Sequence, residues 1–174
     1  MKEFSIRKAK KKDARAWTEL NNRVWRAAYA NIMPEEVFVR RQEETEERIS
    51  RFSKTLHEKG VFHYVAVADK KNVGILRFRT LSPHQKYQEQ GYADLQVIYI
   101  DAAYQNKGIG RAFFDLCMKK LKKCGCTKMV IGCLKENLPT RDVYEHWGGK
   151  LDAGEEKFVT FGQEFPEVFY LFDL

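Results

Sequence analysis

The segment Tyr104-Gln105-Asn106-Lys107-Gly108-Ile109-Gly110-Arg111 lies directly between a strand-like run at 92–100 and an amphipathic, helix-like run at 107–123. Glycines at a helix start remove side chains from the first turn, so backbone N–H groups can point at an anion and the helix dipole adds favourable potential. A phosphate cradle is one reading of this segment; a tight turn without a ligand is the other. The two glycines are not the three of the dinucleotide fingerprint, and no Gly-Lys-Ser or Gly-Lys-Thr closes the segment as in an ATP P-loop. For a bound ligand this leaves the pyrophosphate of another cofactor, with Lys107 and Arg111 able to add charge.

The rest of the chain reads as alternating strands and helices. Phe4, Ile6 and Ala9 with polar neighbours predict a short opening strand, and Asp13 is a plausible N-cap for a helix to about Tyr29 that carries Trp17, Leu20, Val24 and Ala28 on one face. Pro34 fits the first turn of a second helix, which holds Val37, Phe38, Ile49, Phe52 and Leu56 and ends near Gly60. The β-branched and aromatic run 62–68 predicts a strand, the turn residues 69–72 a reversal, and 73–80 its hairpin partner. Residues 81–91 read as a loop. A strand at 128–134, a short helix at 137–147 closed by Gly148-Gly149, and two last strands at about 150–161 and 167–172 complete the order.

A chain of 174 residues can bury one substantial core but is too short for two domains of ordinary size, so one domain over residues 1–174 is expected. No repeat, low-complexity tract or linker interrupts it. The start Met-Lys-Glu-Phe-Ser has no apolar h-region, and no run approaches the roughly 18 apolar residues of a membrane span, so a cytoplasmic protein with no membrane partner is expected. Cys117, Cys124, Cys126 and Cys133 lack metal-site spacing and are read as reduced thiols. The net charge of +7 is compatible with nucleic acid, an anionic surface or an anionic cofactor and does not choose among them.

Gln105-x-x-Gly108-x-Gly110 resembles the signature of the GNAT superfamily of acetyltransferases, as does its setting after Asp94-Leu95-x-x-Ile98-Tyr99-Ile100. Asn137 and Tyr144, followed by Gly148, resemble the family's later helix, in which an asparagine contacts the pantetheine arm and a tyrosine stands beside the coenzyme sulfur. Trp25-Arg26-Ala27-Ala28-Tyr29 before Pro34 is similar to the first helices of many bacterial members. The resemblance implies a single-domain α/β (α+β) fold, with a central mixed, mostly antiparallel sheet of about six to seven strands. Helices would cover both faces, with a splay between the fourth and fifth strands. It also implies acetyl-coenzyme A as cosubstrate, no metal, and an amine acceptor that the sequence does not name. Some relatives form dimers, so a homodimer through the late strands is the corresponding form of self-association. One departure is Gly149, where the family usually has a large apolar residue.

Acyl transfer to an amine needs a neutral nitrogen, a polarised thioester carbonyl and a proton for the leaving thiolate. The resemblance implies that backbone groups of Ile98 and Ile100, flanking Tyr99, hold the pantetheine amides. Gln105, Asn106, Lys107, Gly108, Ile109, Gly110 and Arg111 would surround the pyrophosphate, and Asn137 would contact the pantetheine or cap its own helix. Tyr144, whose ordinary pKa near 10 keeps it protonated, is the expected acid. Asp94 is the first candidate for the base; Glu89 and Tyr29 are weaker ones, and His63, His84 and His146 receive no role. The alternatives from other classes are a non-catalytic coenzyme A binding or sensing module and a nucleic-acid binder; neither nucleic acid nor membrane is the expected partner.

Overall fold

The computed structural model describes residues 4–174; Met1 to Glu3, where the reading for an export signal begins, lie outside the described residues. Seven strands form one sheet in the order β1-β2-β3-β4-β5-β7-β6. They are β1 (Ser5–Lys8), β2 (Val61–Ala68), β3 (Lys71–Arg79), β4 (Ala93–Ile100), β5 (Lys128–Leu134), β6 (Lys150–Thr160) and β7 (Gln163–Asp173). Every neighbouring pair is antiparallel except β4 and β5. The β2–β3 reversal is tighter than the four residues expected: only Asp69 and Lys70 turn, both at positive φ, as in the two-residue hairpins whose twist matches the strands.

Among the described residues six α-helices cover the two faces: α1 (Ala14–Tyr29), α2 (Glu35–Glu43), α3 (Thr45–Thr55), α4 (Gln85–Glu89), α5 (Ile109–Lys123) and α6 (Leu138–His146). Ile109, Phe113 and Leu121 of α5 and Tyr144 of α6 pack with Leu76, Phe78, Leu95, Met129 and Tyr170 in one core. Trp17 and Leu20 of α1 and Phe52 of α3 pack with Val65 and Ile75 in another. At about 1.5–3 kcal/mol for each large apolar side chain fully removed from water, these two layers outweigh the weak helix preference of the charged α2–α3 stretch.

Three local expectations need correction. Asp13 does not cap α1 through its side chain; its carboxylate takes two hydrogen bonds from Arg7, at 2.7 and 2.8 Å, and one from the Lys10 N–H at 2.7 Å. That pairing holds the carboxyl down at about 2 and ties β1 to the chain before α1. The second helix is broken at Glu44 into α2 and α3, and the Thr45 hydroxyl donates back to the Gln42 carbonyl at 2.6 Å, offering the backbone an alternative to the helical ladder. The loop 81–91 contains α4, held by one aromatic anchor: Tyr87 is 1% exposed and its ring lies 4.8 Å from that of Phe169.

Candidate active site

On β3, Arg77 lies opposite Val97 and Phe78 lies opposite Leu95, so Gln96 is an extra residue on β4. This β-bulge bends the strand and re-aims its side chains. β4 pairs with β5 only at Ala93↔Met129 and Asp94↔Val130, after which the two parallel strands part. The gap is a cleft of about 530 Å³. It receives Val24, Ala28 and Tyr29 from α1, Gln96 to Ile100 apart from Val97 from β4, Gly132 and Cys133 from β5, and Asn137, Val143 and Tyr144 from α6 and its start.

The glycine turn delivers the start of α5 to the same cleft. Gly108 stands at φ +81, in the left-handed region, and caps the helix without a side-chain hydrogen bond. The first N–H groups of an α-helix have no carbonyl within the helix to bind, so the cap leaves those of Ile109, Gly110 and Arg111 for a ligand. A Cβ on Gly108 would meet no atom within 4 Å, so its φ is what calls for glycine, whereas at Gly110 it would meet Ile100 Cδ1 at 3.2 Å and the Trp147 ring at 3.6 Å. Gln105 steadies the approach by donating from Nε2 to the Ile100 carbonyl at 3.1 Å. A cleft between two parted strands, leading to a helix N-terminus, fits a thin chain that ends in a pyrophosphate, as pantetheine does in coenzyme A.

Ile98, Tyr99, Ile100, Gln105, Asn106, Gly108, Gly110, Arg111, Asn137 and Tyr144 therefore share one cleft. Three other candidates do not line it. Ile109 is buried in the core beside Phe113. Lys107 donates to the Ala103 carbonyl at 2.5 Å and stands over the Tyr104 ring. Asp94 is 3% exposed, at the last paired position before the strands part, and accepts from the Ser82 hydroxyl at 3.1 Å. Burial drives its carboxyl up to about 6, against the lowering effects of His84 and Ser82. Of the weaker base candidates, Tyr29 lines the cleft, whereas Glu89 is exposed and accepts from Gln85.

Tyr144 is 7% exposed, and burial, followed by the charges of Cys133 and Tyr99, drives its hydroxyl well above the ordinary tyrosine range. The hydroxyl therefore keeps its proton at neutral pH. Asn137 caps α6, its Oδ1 accepting from the Thr140 N–H at 3.4 Å, and still lines the cleft. On the α1 side the Trp25 indole donates to the Tyr99 hydroxyl at 3.0 Å, while Arg41 stacks 3.8 Å over the Trp25 ring and donates to Asn21 at 2.6 Å. Burial, then neighbouring Arg48, lowers the Arg41 guanidinium to about 9. His63 is a core side chain, its ring 5.4 Å from Trp17 and 5.1 Å from Phe52. The sequence reading missed the cleft residues Gln96 and Gly132, because a bulge and a strand departure are set by register and not by any local motif.

Gly149 also finds its explanation. A Cβ there would stand 2.6 Å from the Phe172 ring and 2.8 Å from the Tyr144 carbonyl. Phe172 of β7 thus fills the space that a large side chain at position 149 would take. The four cysteines are free thiols, and no group of metal-binding side chains occurs among the described residues.

The family model described as Acetyltransferase (GNAT) family matches residues 7–149, and the chain belongs to that family. Among solved structures, the PaiA N-acetyltransferase of Thermoplasma acidophilum, in complex with coenzyme A, is similar with a TM-score of 0.71 and 20% identity over 95% of this chain and 98% of that one. YncA from Salmonella typhimurium, solved with its cofactor acetyl-CoA, gives 0.68 and 21% over 98% and 93%. An N-acetyltransferase from Staphylococcus aureus Mu50 gives 0.68 and 24% over 98% of both chains. At these identities the likeness concerns the fold. No curated protein matches the sequence.

Proposed function

We propose that this chain transfers the acetyl group of acetyl-coenzyme A to a primary amine by direct attack in a ternary complex. The observation that carries the reading is that Tyr144, Asn137 and the Gly108 turn, drawn from three separate segments, line one cleft where β4 and β5 part. Backbone groups of Ile98 and Ile100 are the natural partners for the pantetheine amides, since β4 has lost its neighbour on that side. The α5 N–H groups and Arg111 hold the pyrophosphate. The bound thioester supplies an activated acetyl group, and every other requirement falls on the chain. Tyr144 donates its proton to the departing sulfur, and a base takes the proton that the ammonium must lose; Asp94, the first candidate from the sequence, is buried behind the cleft and does not line it.

Acceptor choice belongs to the α1–α2–α3 side, where loops and short helices vary on a fixed sheet. Self-association through the long β6–β7 hairpin is the matching proposal for the quaternary state, checked by light scattering on the eluting protein. No helix of the described residues is long and apolar enough to cross a membrane.

Thiol release from acetyl-coenzyme A across a panel of primary amines tests the reading. Amine-dependent release supports it. Tight coenzyme A binding with no release by any amine would favour a sensing module.

A further inference from the structure

Gly132 is on the stretch of β5 that β4 has left, and it lines the cleft. Its Cα faces the same side of the sheet as Val130 and Leu134, whose side chains pack with Phe169 and with the α1–α2 aromatics. A Cβ at Gly132 would stand 2.5 Å from Oε1 of Glu167, 3.2 Å from its Cδ and 3.2 Å from the Phe169 ring. The register pairs Gly132 with Phe169 and Leu134 with Glu167, so the Glu167 side chain reaches diagonally from β7 over Gly132. A carboxylate therefore occupies the place where the side chain of residue 132 would stand, directly behind a residue that lines the cleft.

Among the described residues this carboxylate takes part in no hydrogen bond and no ion pair, unlike Asp94 on Ser82 and Glu156 on His84 Nδ1 at 3.2 Å. Charged and titratable neighbours act on it from β4 (Asp94), β6 (Glu156) and the segment before α4 (His84), while Cys133 of β5 lies nearby on the opposite face of the strand. Burial is the main influence on it and pushes it up to about 7; His84 opposes this, and Asp94 and Glu156 add to it. A base that titrates near the working pH combines a useful ionised fraction with a strong drive to take a proton. An unpaired carboxylate is also free to bind a cationic amine.

We infer that Glu167, reaching over Gly132, is the general base that deprotonates the acceptor amine. This rests on the acetyl-transfer reading above and names the residue that completes it. The Glu167 carboxylate takes one proton from the ammonium, directly or through one water. The neutral nitrogen attacks the thioester carbonyl carbon, and a C–N bond forms as the C–S bond breaks with its electron pair on sulfur. Tyr144 protonates that sulfur, the nitrogen sheds its second proton to restore the tyrosine through solvent, and Glu167 releases its proton to water. One amide, one free thiol and one proton leave.

The test compares wild type, Glu167→Gln and Gly132→Ala for acetyl-coenzyme A binding and for kcat/KM against pH, using two amines of different basicity. The expected result for Glu167→Gln is a loss of about 10²-fold or more with cofactor binding unchanged. Wild type should show an acid limb near pH 7 that stays in place when the amine is changed, and this limb should vanish in the variant. Gly132→Ala keeps the carboxylate but displaces it, and should lose activity in the same direction. Carbon-13 titration of the Glu167 carboxyl, assigned by its absence in Glu167→Gln, should report a pKa near 7 without any acceptor. An ordinary carboxylate titration, or a Glu167→Gln enzyme with wild-type rate and an unchanged acid limb, overturns the assignment. Absence of amine-dependent release in the wild type would overturn the acetyl-transfer reading itself, and with it the base.

Discussion

Tyr144 and Glu167 are displaced in the same direction by burial, with opposite consequences for their roles. A phenol raised well above its ordinary range stays protonated and can only give a proton; a carboxyl raised to about 7 can take one. Tyr144→Phe should therefore lower kcat at least about tenfold while leaving the dissociation constant of acetyl-coenzyme A unchanged, measured by calorimetry beside steady-state rates. A fall in affinity with kcat preserved would make the ring a wall of the cleft and nothing more. Gly108→Ala forces a Cβ into the left-handed region and should cost about 1–2 kcal/mol in thermal or urea unfolding, with weaker coenzyme A binding. Tyr144, Asn137 and the glycine turn, singled out through the family resemblance, do line one cleft. Glu167 was not legible in the sequence, since it meets Gly132 only through the β5–β7 register, 35 residues away in sequence (167 − 132).

The elements show the same division. α1 and α5 were readable because their apolar residues repeat at about 3.6, and β2 to β5 because short runs rich in β-branched and aromatic residues end at turn residues. The α2–α3 break was not, for no glycine or proline marks it; only the Thr45 hydroxyl on the Gln42 carbonyl does. α4 escaped notice because five residues carry too little periodicity, and its stability comes from Tyr87 sinking between β5 and β7. The departure of β4 from β5 has a measurable outcome. Cleft-facing amides of β4 and β5 beyond Asp94 and Val130 have no cross-strand partner in the gap, so they should exchange hydrogen faster than those of β2 and β3 and become protected when acetyl-coenzyme A binds. Equal protection before and after binding would mean that the pantetheine lies elsewhere.

For the whole molecule, the buried acids tie stability to pH. Asp94 and Glu167 both bind protons more tightly folded than unfolded, so their contribution is complete below about pH 4 and is lost as pH rises through about 6 to 7. Asp13 acts oppositely: its contribution is present above about pH 4 and is lost as pH falls towards 2. Glu167→Gln should accordingly raise the melting temperature relative to wild type at pH 8 and leave it nearly unchanged at about pH 4, as read by calorimetry. An equal shift at both pH values would show that packing over Gly132, and not charge, governs the effect.

The amino-acid order by itself determined what local rules decide: most of the strands and helices, and where glycine permits a helix to open on an anion; the tyrosine and asparagine came from family resemblance. The tertiary structure decided what depends on register and layer. The Gln96 bulge parts two strands, Phe172 takes the space beside Gly149, and the β5–β7 pairing brings a carboxylate over Gly132. Local patterns act over one or two turns of chain, whereas burial and the electrostatics that follow from it depend on which distant segments share a face.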